Sequence, residues 1–246
     1  MKKSIERFCV RFPKIYQFVQ TCRTNSNSDK FIFSKFVKRG HTVIDCGANI
    51  GYYTNFLRTL VGKRGFVHAF EPVPSTFENL QRNTRQYWSV NNCSLNMTGL
   101  YKDCSKLIAY IPNSISGHAS ISNHLEVWKA SSTEEISIQL TTLDSYALQN
   151  VLEKIDFIKI DIEGAEIDAL RGAKITLVKH KPTLHLEVNS QLLKSTNQQP
   201  RDLIEFLKPL GYENFHYYDE NPTRLKSFEK LVASKVEINT NVIATA

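Results

Sequence analysis

T-V-I-D-C-G-A-N-I-G, residues Thr42 to Gly51, is the stretch whose reading decides the fold. Val43 and Ile44 are β-branched and apolar, as a strand buried in a parallel sheet requires. Gly47 and Gly51 follow in a turn where a missing Cβ lets backbone approach a ligand. From Ile50 to Val61 the apolar residues Ile50, Tyr53, Phe56, Leu57, Leu60 and Val61 recur at helical spacing. Strand, glycine turn and helix in this order open the ligand site of a doubly wound α/β sheet.

Charge then narrows the ligand. A helix N-terminus behind a glycine turn suits an anion, but this strand delivers Asp45 into the turn. The glycines are spaced G-x-x-x-G, not the G-x-G-x-x-G of the dinucleotide fingerprint. An acid here disfavours a diphosphate and favours a cation. A second strand, Gly65 to Phe70, ends in Glu71, and a carboxylate at that point suits a ribose diol. An adenosine that is cationic rather than phosphorylated points to S-adenosylmethionine. An NAD-dependent oxidoreductase is the alternative, since Glu71 would serve a ribose there too.

Three segments carry a resemblance. D-C-G-A-N-I-G-Y-Y-T (Asp45 to Thr54), A-F-E-P-V-P (Ala69 to Pro74) and I-K-I-D-I-E-G-A-E (Ile158 to Glu166) resemble the FkbM family of S-adenosylmethionine-dependent methyltransferases. T-T-L-D (Thr141 to Asp144) and L-R-G-A (Leu170 to Ala173) fit the same pattern. The resemblance runs from Asp29 onward and implies a Rossmann-like class I methyltransferase fold, mostly parallel with an antiparallel last strand. It also implies that Asp45, Gly47, Asn49 and Gly51 line the methionine part of the cofactor, that Glu71 takes the ribose, that Met97 flanks the adenine, and that Pro72 and Asp161 also meet the cofactor. The acceptor it suggests is a hydroxyl of a sugar, glycan or related metabolite.

The chain divides at about residue 28. Residues 1–40 hold ten Lys or Arg against Glu6 and Asp29, so the net charge of +7 belongs to the start of the chain. Residues 1–28 read as a basic arm of two amphipathic stretches split by Pro13. Such an arm packs on its own domain, or meets an anionic membrane surface or glycan. Nucleic acid is not expected, because the arm has no aromatic ladder and the rest is near neutral. Residues 29–246 form the methyltransferase-like domain, with Asp29 capping a first helix that runs through Val37. The five cysteines show no C-x-x-C pairing, and neither a spanning segment nor a signal-peptide core is found. The expected location is cytoplasmic, with the arm able to bring the protein to a membrane face.

Beyond Glu71 the pattern predicts a helix over 75–85, a third strand over 93–100, and an inserted antiparallel pair over 106–111 and 136–142. Further strands are predicted over 157–162, 183–188, 215–218 and 241–246, with helices over 163–173 and 201–210. Ligands of such a sheet sit beyond the carboxyl ends of its strands, where Asp45, Glu71, Asp161 and Glu187 fall together. Methyl transfer to a hydroxyl needs a close, dehydrated acceptor and a base for its proton. Asp161 and Glu187 are the best-placed bases. His185 lies two residues before Glu187, on the same strand face, and is either a third candidate or a hydrogen-bonded core residue. His118, in a G-H-A-S segment (117–120) fitting a family G-x-x-S, is a weaker one. A divalent ion held by Asp161, Glu187 and Asn189 is a further option, by analogy with catechol-type enzymes. A non-catalytic docking domain is the remaining alternative.

Overall fold

The computed structural model describes residues 28–85, 91–112, 119–121 and 132–246. Most of the basic arm and His118 lie outside the described residues.

The first helix, α1 (Ser28–Phe36), precedes β1 (Thr42–Cys46), α2 (Tyr52–Val61), β2 (Phe66–Phe70), α3 (Pro74–Arg85) and β3 (Cys93–Asn96). A small excursion follows with β4 (Gly99–Leu100), β5 (Lys106–Pro112) and β6 (Thr133–Thr141). The main fold resumes with α4 (Leu143–Gln149), β7 (Phe157–Ile160), α5 (Glu166–Arg171), α6 (Lys174–His180), β8 (Thr183–Asn189) and α7 (Ser190–Lys194). Then come α8 (Pro200–Leu207), β9 (Asn214–Tyr218), β10 (Lys226–Ser227), α9 (Phe228–Ala233) and β11 (Asn239–Thr245).

The eight-stranded sheet has the order β10-β9-β11-β8-β7-β1-β2-β3. Pairings from β3 through β8 are parallel, and β11 runs antiparallel to both β8 and β9. Strand order reverses between β1 and β7, which places the ligand crevice above their carboxyl ends.

Alternation along the strands sorts the side chains onto two faces. Val43, Val67 and Phe157 pack with Phe33 of α1 and Phe56, Leu57 and Leu60 of α2. Ile44, Ile158, Ile160, Leu184 and Leu186 point the other way, onto Leu143 of α4, Leu170 of α5, Leu177 of α6 and Leu203 of α8. Asp45, Lys159 and His185 alternate with this second set, so they lie on the α1/α2 face and are buried there.

The structure departs from the sequence reading in four places. The expected third strand breaks at Met97–Thr98: β3 stays in the main sheet, while β4 leaves to pair with β6. The expected helix over 163–173 starts only at Glu166, because Glu163 (φ 54°) and Gly164 (φ 98°) are left-handed. Residues 174–180, given no element above, form α6; its periodicity is weak because Ile175 and Val178 are exposed while Thr176 is buried. Asp29, expected as a cap, lies within the first turn and accepts hydrogen bonds from Tyr53, from Tyr218 (2.7 Å) and from Asn241 (3.0 Å). The helix is thereby tied to α2, β9 and β11.

α4 has a conventional start. Thr142 is extended, and its hydroxyl accepts from the Ser145 amide at 3.0 Å. Thr142→Ala should cost about 1 kcal/mol of unfolding free energy, read from the shift in urea midpoint, while Thr142→Ser should recover most of it. Among the described residues, no helix is long and apolar enough to cross a membrane.

Candidate active site

A cavity of about 620 Å³ opens above the carboxyl ends of β1, β2, β7 and β8, within the size range of small-molecule sites. One side is the turn Gly47–Asn49 with Glu71 and Pro72; another is Asp161–Glu163 with Glu187. The small sheet supplies an apolar wall of Ala109, Ile111, Ile138 and Leu140, closed by Ile121.

Glu71 is buried and fixed at both oxygens: Oε2 accepts from the Asn49 amide (3.0 Å) and Oε1 from the Val73 amide (3.1 Å). Burial pushes its carboxyl up, while those two amides and Lys159 pull it back. Asn49 itself is left-handed (φ 49°), which turns its amide toward Glu71. The carboxylate keeps further lone pairs for a ligand, since each oxygen accepts more than one hydrogen bond.

Not every residue expected at the ligand reaches it. Asp45 is fully buried beneath the turn and is absent from the cavity wall; it accepts from Thr54 Oγ1 (2.6 Å) and faces Lys159 Nζ (3.4 Å). Gly47 (φ 78°) lines the cavity, but a Cβ on it would overlap the carbonyl oxygen of Asp161. Its missing side chain thus admits a neighbouring backbone rather than a ligand. Gly51 (φ 88°) caps α2 and faces Leu80 and Thr84, off the cavity. Met97 is 52% exposed at the break after β3 and lies outside the cavity wall.

Lys159 had no role in the sequence reading, and it organises the floor. Its Nζ donates to the Gly47 carbonyl (2.8 Å) and lies 3.3 Å from Asp161 Oδ2, with Asp45 on its third side. Burial alone would depress its pKa, yet Asp161 and Asp45 hold it above the ordinary lysine value. The signal was present in I-K-I-D: a lysine in an otherwise apolar four-residue buried strand needs a carboxylate partner.

Asp161 and Glu187 do meet. Ile160 is in register with Leu186, so the next residues stand side by side and each carboxyl acts on the ionisation of the other. Burial pushes Asp161 up, but Lys159 and the neighbouring Glu187 together outweigh it and keep Asp161 below the carboxylate range. Glu187 is driven well above that range, by burial first and then by Asp161, Glu166 and Glu163. Glu187 is therefore the protonated member of the pair at neutral pH and Asp161 the ionised one. The sign for stability follows from linkage. A carboxyl whose folded pKa exceeds its unfolded value contributes stability that is complete below the unfolded pKa of about 4.5. That stability is lost as pH rises through the folded value. Glu187→Gln keeps a donor without the charge. Its melting temperature should equal the wild type's near about pH 5 and exceed it increasingly toward about pH 9. A constant difference across that range would mean that Glu187 is not the protonated partner.

His185 sits one pleat below Glu187 and does not reach the cavity. Its Nε2 contacts Tyr218 Oη at 2.5 Å, its ring packs edge-on to Phe33, and burial lowers its pKa to about 4. Because Tyr218 donates to Asp29, it accepts from His185 Nε2–H, and the ring is neutral. Of the two sequence readings of His185, the structure favours the core residue. Asn189, expected to add a metal oxygen, instead caps α7 through Oδ1 to the Gln191 and Leu192 amides. Among the described residues, no group of three or more His, Cys, Asp or Glu is placed to hold a metal ion.

Two more residues shape the site. Glu166 Oε1 accepts from the Ile162 and Gly164 amides, both at 3.1 Å, and so holds the loop after β7. Ser120 Oγ donates to the Glu163 carbonyl at 2.7 Å, fastening the excursion across the cavity.

Residues 45–213 match the sequence model of the methyltransferase FkbM domain. The chain belongs to the FkbM methyltransferase family. Methyltransferase 1 of Beauveria bassiana (strain ARSEF 2860) is 28% identical over 146 residues, covering 53% of this chain and 57% of that protein. Methyltransferase sdnD of Sordaria araneosa is 25% identical over 155 residues, covering 53% and 59%. The chain thus spans less than two thirds of either relative's length. Among solved structures, the FkbM methyltransferase from Methylobacillus flagellatus KT superposes with a TM-score of 0.54 at 17% identity, over 98% of this chain and 57% of that one. A SAM-dependent O-methyltransferase from Thermotoga maritima gives 0.51 at 13% identity, over 94% and 69%. At such identities these likenesses speak to the fold: this FkbM chain has the class I methyltransferase architecture, an α/β sheet that is mostly parallel.

Proposed function

We propose that this FkbM protein is an S-adenosylmethionine-dependent methyltransferase acting on a hydroxyl of a small molecule such as a sugar or related metabolite. The observation that carries the reading is Glu71, held by the Asn49 and Val73 amides with lone pairs to spare at a cavity of nucleoside-accepting size. Glu71 would accept from the ribose diol, beside the turn Gly47–Asn49. The cofactor, when bound, supplies the methyl group as a sulfonium. The chain's own residues orient and deprotonate the acceptor. Asp161, kept ionised by Lys159, takes the hydroxyl proton, and Glu187 steadies it from the other side. The apolar wall of Ala109, Ile111 and Ile138 excludes water from the acceptor oxygen. Calorimetry with S-adenosylmethionine, S-adenosylhomocysteine and NAD tests the reading. Binding of both sulfur ligands and not of NAD is expected; binding of NAD alone would replace it with an oxidoreductase.

A further inference from the structure

We propose that Lys159 limits the site's preference for the sulfonium cofactor over its neutral thioether product, because its ammonium cancels the charge of Asp45 directly beneath the turn. The inference rests on the S-adenosylmethionine reading above. Asp45 is the acid that the sequence offers as the attraction for a cation, and it is fully buried with Lys159 Nζ 3.4 Å away. The ammonium is no distant counter-charge. It donates to the Gly47 carbonyl at 2.8 Å and lines the cavity, whereas Asp45 does not. Of this pair, then, the positive member stands nearer any ligand. The Lys159 side chain is 3% exposed, so little water screens it.

The cofactor and its product differ by one methyl group and one unit of charge, and they share the adenosine and the amino-acid portion. The ratio of their dissociation constants therefore isolates the field at the sulfur from contacts common to both. Lys159 stands between two acids, Asp45 and Asp161 at 3.3 Å, and moderates their charge, which has a use in turnover: a site strongly selective for the cation would favour binding at the expense of methyl transfer, which neutralises the sulfur.

The test is calorimetry of both ligands with wild type, Lys159→Met, Asp45→Asn and the double variant. Lys159→Met leaves Asp45 uncancelled and should raise the preference for S-adenosylmethionine by about tenfold. Asp45→Asn should lower it, and the double variant should lie between the two single variants. Because the double variant leaves the net charge of the buried floor as in wild type, with Asp161 as the remaining acid, its comparison with Asp45→Asn reads the same effect should Lys159→Met not fold. Shifts that are equal for the two ligands in the variants that fold would make Lys159 a scaffold residue only and overturn the inference. If neither ligand binds the wild type, the cofactor reading fails and this inference with it. If both bind and the ratio does not move, only this inference fails.

Discussion

Gly47→Ala is expected to lose about 3–5 kcal/mol of stability and all measurable cofactor binding. Two costs combine. The residue is left-handed at φ 78°, and an added Cβ would overlap the Asp161 carbonyl oxygen. The second is the more serious, because Asn49 tolerates a left-handed backbone two residues on. The Asp161 carbonyl cannot simply retreat: its own amide donates to the Cys46 carbonyl at 3.2 Å, and its carboxylate is paired with Lys159. Gly51→Ala makes the contrast. There the obstacle is the Leu80 Cδ1 methyl at 2.8 Å, the end of a flexible side chain, so the loss should be smaller. Denaturant midpoints for the two variants decide the matter. A wild-type midpoint for Gly47→Ala would show that the turn and the loop after β7 are not in fixed contact.

Glu71→Ala should leave the fold in place and weaken S-adenosylmethionine binding by about 100-fold. Removal of the carboxylate would take away the proposed ribose acceptor, and it orphans the Asn49 and Val73 amides, which hold the turn at the cavity edge. Glu71→Gln should fall between: its amide group can accept at one oxygen only and presents N–H to an N–H. Titration by calorimetry or tryptophan fluorescence reads both variants, with circular dichroism to confirm folding. Wild-type affinity in Glu71→Ala would move the ribose elsewhere in the cavity.

The place of Glu71 at the cavity edge was legible in the sequence because it follows from a strand end, a following proline and a glycine turn on the neighbouring strand. The Asp161–Glu187 pair was legible for a similar reason, since adjacent parallel strands bring their carboxyl ends together. The burial of Asp45 beneath the turn was not legible because its partner, Lys159, lies 114 residues later, and only the β1–β7 register joins them. His185 was placed on the correct strand face, but a period of two gives the face and not the height along the strand. Met97 lies off the cavity wall for another reason. The stretch over 93–100 reads as one strand, whereas the chain changes sheets within it. The turn at Glu163–Gly164 was invisible because a left-handed glutamate has no signature of its own and is held by Ser120 from the excursion.

The position of β11 bears on how the chain folds. Residues 239–245 occupy the slot between β8 and β9, and Val242, Ile243 and Ala244 are buried there. Until they arrive, the edges of β8 and β9 each present an unsatisfied row of amides and carbonyls flanked by apolar side chains, the geometry that invites strand exchange between molecules. Closure of this gap joins segments distant along the chain, so it belongs late in folding. A chain cut before Asn239 would keep every residue of the cavity wall and would be expected to aggregate during refolding, not to bind ligand weakly. Light scattering during dilution from denaturant would register the difference.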